Sequence, residues 1–345
     1  MRVLVISQYY WPESFRINDL TDDLVRRGHQ VTVLTGIPNY PSGSMFSEYE
    51  NEPKAYSSYK GVEIVRVPIV VRGQSGVQLA LNYLSFIISG SVIGLFKLRK
   101  QRFDSIFVFE PSPITVGLPA IVFRYFKKAP LVFWVLDLWP DTLEAVGAVR
   151  SKRILKLVGW LVSYIYKRCD LILGQSKSFI SHIRKYAGHD RVAYFPGWAE
   201  SVFSVDQFRS PKRRSDSVQF NIVFAGNVGV SQDFPTVLKA MELLKDNQEI
   251  CWTIVGDGRM SDWLATEIGK RGLENVVRLA GQHPMEEMPK FFEDADALLV
   301  NLKDEPIFSM TIPGKLQAYL VTGKPILALL NGEGASLVKD SGCGI

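Results

Sequence analysis

In the stretch "VFWVLDLWPDTLEAVG", Asp137, Trp139, Pro140 and Asp141 fall within five positions, directly after an apolar run that ends at Val135 and Leu136. A carboxylate placed there can bind a hydroxyl group or stabilise positive charge that develops on a reacting carbon. The indole of Trp139 can cover an apolar ligand face. The plainer use of the same residues is structural, with Asp137 capping the next turn and Trp139 packing.

A second set of residues points to an anion. "FAGNVGVSQDF" places Gly226, Asn227 and Gly229 after another apolar run. Glycine lets the backbone approach a ligand closely, and a helix beginning near Asp233 would offer its N–H groups to phosphate. "VGDGRM" is a turn of the same kind, with Gly256, Asp257 and Gly258, and with Arg259 in reach of an anion. In "IPGKLQAYL", Pro313 suits the start of a helix and Lys315 lies in its first turn. A cation there opposes the helix dipole, at roughly a few tenths of a kcal/mol unless an anion offsets it. That local conflict makes Lys315 a phosphate-binding candidate. In "EDADA", Asp294 and Asp296 have the spacing of an Asp-x-Asp metal motif. They fall at a helix end before a strand rather than after one, so no metal site is expected.

These residues need elements to position them. "RVLVIS" at Arg2–Ser7 and "HQVTVLTG" read as buried strands around the helix "DLTDDLVRRG", which Asn18 would cap and Gly28 would stop. Strands are expected at Val62–Val71, Ser105–Glu110, Leu131–Asp137, Leu171–Ser176 and Val192–Phe195, with helical patterns between most of them. The polar, basic stretch from Ser201, which contains Pro211, breaks this rhythm. A second alternation follows, with strands "FNIVFAG", "CWTIVG", "NVVRLAG", "ALLVNL" and "PILALL". Its helices are expected near Asp233–Leu244, Met260–Gly272, Met285–Ala295 and Gly314–Thr322. The expectation is α/β: a doubly wound domain over 1–200, a link over 201–218 and a second doubly wound domain over 219–345, facing each other across a cleft. Ligands of such sheets bind outside the carboxyl ends of the strands, where Asp137 and the glycine turns fall.

Composition narrows the class. With 345 residues and 47% hydrophobic content, the chain can fill about two cores. Cys169, Cys251 and Cys343 are far apart, without metal-ligand spacing, and are expected to be free thiols in a reducing compartment. "MRVLVIS" is too short an apolar run for a signal peptide. Residues 1–200 carry 25 Lys and Arg against 16 Asp and Glu, leaving 15 against 19 in the remainder. A basic half beside an acidic half suggests that the first half meets an anionic partner. No basic, aromatic recognition motif for nucleic acid is present, so none is expected as a partner.

Taken together, "SQYYWPESFRINDL", "GHQVTVLTGIPNYPSG", "DLWPD", "AGNVG", "VGDG" and "IPGKLQAYLVTGKPIL" resemble glycosyltransferase family 4, which has the two-domain GT-B fold. The resemblance spans essentially the whole chain and is nearest to bacterial O-antigen and capsule enzymes, including N-acetylfucosaminyltransferases. It implies a retaining transferase that uses a nucleotide-sugar as co-substrate and needs neither metal ion nor other cofactor. It further implies that Gly226, Asn227 and Gly229 approach the donor diphosphate, with Gly256 and Asp257 nearby, and that Lys315 pairs with it. The loop of Gly281, Gln282 and His283 would hold the base. Tyr9, Trp11, Glu13, Arg16 and the "PNYP" loop at Pro38–Pro41, with Asn39 and Tyr40, would meet the acceptor, together with Trp139 and Asp141. Asp137 would lie near the reacting sugar. One departure stands out: Met310 and Ala318 occupy the positions of the family's paired glutamates, and Glu305 or Gln317 would have to compensate. Family members also continue beyond "DSGCGI", so the chain is expected to be a fragment or truncated at its C-terminal end.

The apolar run Leu79–Phe96, followed by "KLRKQR", and the basic amphipathic segment "RSKRILKLVGWLVSYIYKR" suit contact with a membrane surface. Covering the sheet is the alternative use of both. The resulting expectation is a cytoplasmic protein, peripheral on the inner face of the plasma membrane. It would move a sugar, from a UDP-linked donor, to a lipid-pyrophosphate-linked acceptor in surface polysaccharide assembly. Two rivals are a nucleotide-sugar epimerase of the same fold, which needs no acceptor, and a catalytically silent binding subunit, suggested by the missing glutamates.

Overall fold

A computed structural model describes residues 1–40, 43–73, 75–208 and 219–345. Pro41 of the "PNYP" loop and residues 209–218 of the expected link, including Pro211, lie outside the described residues. The chain divides into two compact units, Met1–Glu144 with Val149–Pro196, and Ala145–Ala148 with Gly197–Ile345.

The sheet of the first unit contains β1 (Arg2–Ile6), β2 (Gln30–Gly36), β3 (Ser58–Tyr59), β4 (Val62–Val67), β5 (Ser105–Glu110), β6 (Leu131–Val135), β7 (Leu171–Gly174) and β8 (Val192–Tyr194), ordered β3-β4-β2-β1-β5-β6-β7-β8. β1 and β6 are nearly continuous apolar runs because helices cover both faces of the sheet. The pairings are parallel except β3 with β4. That edge hairpin was not expected. Its turn places Lys60 and Gly61 at φ 47° and 80°, the positive pair that a two-residue hairpin loop requires. β4 stops at Val67 rather than Val71 because Pro68 has no N–H to donate. The first helix also differs from expectation. It runs Arg16–Arg26 from Phe15, without a side-chain cap, and Asn18 lies inside it with its amide donating to the Glu13 carbonyl at 2.8 Å.

Direction reverses between β1 and β5, so the carboxyl ends of these two strands flank the topological switch point. The loop carrying Tyr9, Trp11 and Glu13 follows β1, Glu110 ends β5, and Asp137 follows β6. Helices Gly76–Ser89, Gly117–Lys127 and Lys152–Tyr166 lie in one neighbouring series. The first has a capping box at Ser75 and Gln78 and continues through a π-helical turn at Gly90–Gly94 to Lys97.

The second unit holds β9 (Phe220–Ala225), β10 (Ile250–Val255), β11 (Val277–Gly281), β12 (Ala297–Asn301) and β13 (Ile326–Leu329), all parallel and ordered β11-β10-β9-β12-β13. Its helices include Phe234–Leu243, Ser261–Arg271, Met288–Glu293 and Gly314–Thr322. One core layer gathers Phe224, Phe234, Trp252 and Leu264, and the other Phe292, Leu298, Leu316 and Tyr319. Residues just after Pro196 join this unit, with Phe203 buried and stacked on Phe292 at 5.4 Å. The switch point lies between β9 and β12, and the Gly226 loop leaves β9 there. Asp296 accepts the Asn221 N–H at 2.6 Å, at the opposite, amino end of β9.

Candidate active site

In the second unit the loops after β9, β10 and β11 are tied side by side. Gly226 N–H donates to the Val255 carbonyl at 2.9 Å, Val228 N–H to the Asp257 carbonyl at 2.9 Å, and Gly256 N–H to the Gly281 carbonyl at 2.7 Å. Gly256 has φ 130°, and a Cβ there would lie 1.9 Å from the Gly226 carbonyl oxygen. Only glycine lets these loops touch. Gly226, at φ 135°, faces Lys315, whose Cε and Nζ would each lie 3.1 Å from an added Cβ. The Asn227 side chain is wedged between Gly229 and Gly258, where added Cβ atoms would lie 2.4 Å and 2.6 Å from its amide atoms.

Lys315, in the first turn of helix Gly314–Thr322, carries its Nζ over the Phe224 ring, 3.4 Å from the centroid. The stem is partly exposed, but Nζ is buried and has no hydrogen-bond partner among the described residues. Desolvation holds this ammonium well below the ordinary lysine pKa. The face of Phe224 offsets only part of that cost, and an anion beside Gly226 would supply the missing partner.

Next to these loops is a cavity of about 330 Å³, lined by Val228, Gly256, Asp257, Leu279, Ala280 and Gly281 among others. That volume is within the range of small-molecule sites. The Ser261 hydroxyl and the Gly258 N–H hold the Asp257 carboxyl below its usual pKa. Gln282 is exposed. His283 is fastened to its own loop, Nδ1 lying 2.7 Å from Glu287 Oε2 and Nε2 3.1 Å from the Ala280 carbonyl. Gln317 is half-buried on the Lys315 helix, Glu305 is exposed, and Ala318 is packed in the core. A glutamate at 318 would enter apolar packing in this chain.

In the first unit, Tyr9, Glu13, Asn39 and Tyr40 are brought together although 26 or more residues separate Glu13 from Asn39 and Tyr40. Glu13 is 3% exposed; Oε1 accepts the N–H groups of Asn39 and Tyr40 at 2.9 and 2.8 Å, and Oε2 that of Tyr10 at 3.1 Å. Burial lifts its pKa to about 7 against the pull of those three bonds. Glu13 therefore ties the loop after β1 to the "PNYP" loop. Tyr9 packs on Phe15 and Tyr40, and its hydroxyl accepts from Arg72 at 3.0 Å. Trp11 stacks on Tyr56 and Tyr59 at 4.9 and 4.6 Å, and its carbonyl accepts from Arg66. Arg16 opens the first helix beside this loop.

After β6, the Asp137 carboxylate accepts the Trp139 indole N–H at 3.2 Å. Burial raises its pKa, opposed by the Thr142 hydroxyl, the indole and the Leu138 N–H. Trp139 is only 9% exposed, so its ring is mostly packed. Asp141 lies 3.1 Å from Nε2 of the buried His182, which holds its carboxyl below the usual range. Glu110 was not singled out from the sequence. It ends "SIFVFE" as Asp137 follows "LVFWV", so an acid at the end of an apolar strand was the available signal. Arg66, within β4, and Arg72, shortly after it, were also not singled out from the sequence.

The profile of the glycosyl transferase 4-like domain matches residues 14–198, and that of glycosyl transferases group 1 matches residues 206–344. This chain belongs to the glycosyltransferases. Among relatives, it is 27% identical over 246 residues to a protein of Pseudomonas aeruginosa named as the glycosyltransferase WbjE, covering 68% of this chain and 60% of that one. It is 24% identical over 339 residues to a protein of Escherichia coli (strain K12) named as the colanic acid biosynthesis glycosyl transferase WcaI, covering 94% of this chain and 82% of that one. Among solved structures, HepE of Anabaena in complex with UDP and glucose superposes with a TM-score of 0.63 at 14% identity, covering 98% of this chain and 82% of that one. At that identity the likeness speaks for the fold, the pair of doubly wound domains expected from the sequence.

Proposed function

We propose that this glycosyltransferase transfers a sugar from a UDP-linked donor to a lipid-linked acceptor in bacterial surface polysaccharide assembly, with retention at the anomeric carbon. The observation that carries the donor half is Lys315, a buried ammonium with no partner, beside glycine loops that admit a ligand to the backbone. A diphosphate fits that need, because a charge-assisted contact offsets the desolvation of Nζ and stabilises the charge of the departing nucleotide. The cavity at Gly256 and Gly281 would take the nucleoside. HepE, of the same fold, is named with UDP and glucose, and the name of WcaI places that relative in colanic acid biosynthesis. Asp137, partly desolvated after β6, would bind a sugar hydroxyl or the developing positive charge near the anomeric carbon. Lys315 and the loop amides would neutralise the leaving group without a metal ion.

Exposed side chains favour a membrane as the place of reaction. Val77, Leu81, Leu84, Ile88, Val92 and Phe96 project from one stripe of the long helix, and Lys97, Arg99, Lys100 and Arg102 follow. The neighbouring helices add exposed Tyr125 and Phe126, then Ile154, Leu157 and Trp160 beside Lys152, Arg153 and Lys156. By length and composition the helix Gly76–Lys97 could cross a bilayer. However, Asn82 on the buried face of this helix accepts from Gln8 at 2.6 Å and donates to the Val70 carbonyl at 2.6 Å. Those bonds favour a helix lying on its domain with one face toward anionic headgroups on the cytoplasmic side.

The test is incubation with a panel of UDP-sugars and lipid-pyrophosphate acceptors, read by mass spectrometry. A glycosylated lipid and released UDP are expected. UDP binding without any transfer would overturn the enzymatic reading, and an altered sugar nucleotide without acceptor would indicate an epimerase.

A further inference from the structure

Glu110 is the most deeply buried acid near the proposed chemistry, at 0% exposure, and among the described residues neither carboxyl oxygen has a partner in good hydrogen-bond geometry. It ends β5, where register pairs it with Val135, and its main-chain carbonyl accepts the Leu136 N–H at 3.2 Å. Its side chain therefore sits under the start of the Asp137 turn. Asp137 is the charged group that bears on it, and Tyr166 of helix Lys152–Tyr166 is also close enough to interact. The Tyr166 hydroxyl is likewise buried and without a partner among the described residues. β1, the other neighbour of β5, continues into the uncharged Ser7 and Gln8, and the segment Ile114–Ala120 after β5 brings no charge.

We propose that Glu110 is a positioning residue that works as a neutral acid, holding the turn beneath Asp137 so that this pair of carboxyl groups carries a single negative charge, located on Asp137. Two ionised carboxyls in one dry pocket would repel, and the more deeply buried one, with no donor in good hydrogen-bond geometry, is the one that keeps its proton. Burial and the nearby Asp137 both push the Glu110 carboxyl well above its ordinary range, while the Leu136 and Asp137 N–H groups pull weakly the other way. Asp137 has the indole of Trp139 to support its charge. A neutral filler below it fixes where that charge points without competing for a positive centre.

The inference rests on the reading that Asp137 lies at the reacting sugar. The test compares the full chain with Glu110→Gln, Glu110→Ala and Asp137→Asn, using the UDP-sugar and acceptor that the panel identifies. Infrared difference spectra near neutral pH should show a protonated carboxyl band that the unaltered protein and Asp137→Asn share and Glu110→Gln lacks, separate from the contribution of Glu13, which all the variants keep. Turnover of Glu110→Gln should stay within about threefold of the unaltered protein, since the amide is neutral and of the same shape. Glu110→Ala should lose at least about tenfold in kcat, with UDP affinity unchanged, because the cavity frees the turn. If Glu110→Gln does not fold, Glu110→Met replaces it. Absence of the band, a dead but folded Glu110→Gln, or full kcat in Glu110→Ala would each overturn the proposal. Full turnover in Asp137→Asn would instead remove the reading on which it rests, and the infrared band would still decide whether Glu110 holds a proton.

Discussion

Replacing Lys315 by Met separates a ligand-binding lysine from a structural one. Nζ is buried without a hydrogen-bond partner among the described residues, so its removal should relieve about 1–3 kcal/mol of desolvation. Losing the contact over Phe224 works against this by about 0.5–2 kcal/mol, and the Met sulfur restores part of it. The second unit should therefore be as stable as before or more so, with roughly 2–4 °C in Tm for each kcal/mol. Nucleotide binding should move the other way. A charge-assisted contact is worth about 1.5–3 kcal/mol, so UDP affinity should fall roughly 10- to 150-fold. Calorimetric titration with UDP and differential scanning measure the two quantities on one sample. UDP affinity unchanged within twofold, or a clear fall in Tm, would refute the argument that Lys315 waits for an anion.

Asp137→Asn should cut turnover about a hundredfold while leaving UDP affinity alone, whereas Asp141→Asn should have the smaller effect; full turnover in the first variant would make this stretch a structural turn. Changing Ile154, Leu157 and Trp160 to Ser together with Lys156→Glu should release the protein from anionic liposomes with its circular dichroism intact, since all three apolar side chains are exposed. Unaltered protein that never sediments with liposomes would reject the membrane reading. The folded-state pKa of Glu110 is raised, so its contribution to stability is full below the unfolded carboxyl value of about 4.3 and declines as pH rises toward the folded value. The Tm of Glu110→Gln relative to the unaltered protein should thus increase between about pH 4 and 8; a constant difference would mean that no such proton is held.

Much of the fold was readable in the sequence because its signals are local. Apolar runs mark the buried strands, and the positions of the glycines after β9 and β10 reflect backbone geometry that no other residue permits. The antiparallel edge was missed because a Lys-Gly turn is a weaker hairpin signal than Asn-Gly. Motifs also placed Asp137 after a strand and Lys315 in the first turn of a helix. What those side chains meet there was settled only by tertiary structure. The resemblance puts Glu13 at the acceptor, yet its oxygens are taken up by backbone N–H groups, two of them from a loop that begins more than twenty residues later. Trp139 reads as a platform and is packed. Glu110 reads as the end of a strand and proves to be a wholly buried acid. Lys315 reads as a phosphate-binding candidate, but that its Nζ is buried over the Phe224 ring is not legible in the sequence. In each case the outcome depends on which strand lies beside which. Burial and charge environment are set by neighbours that the sheet order brings together across long sequence separations, and no local pattern of residues encodes that order.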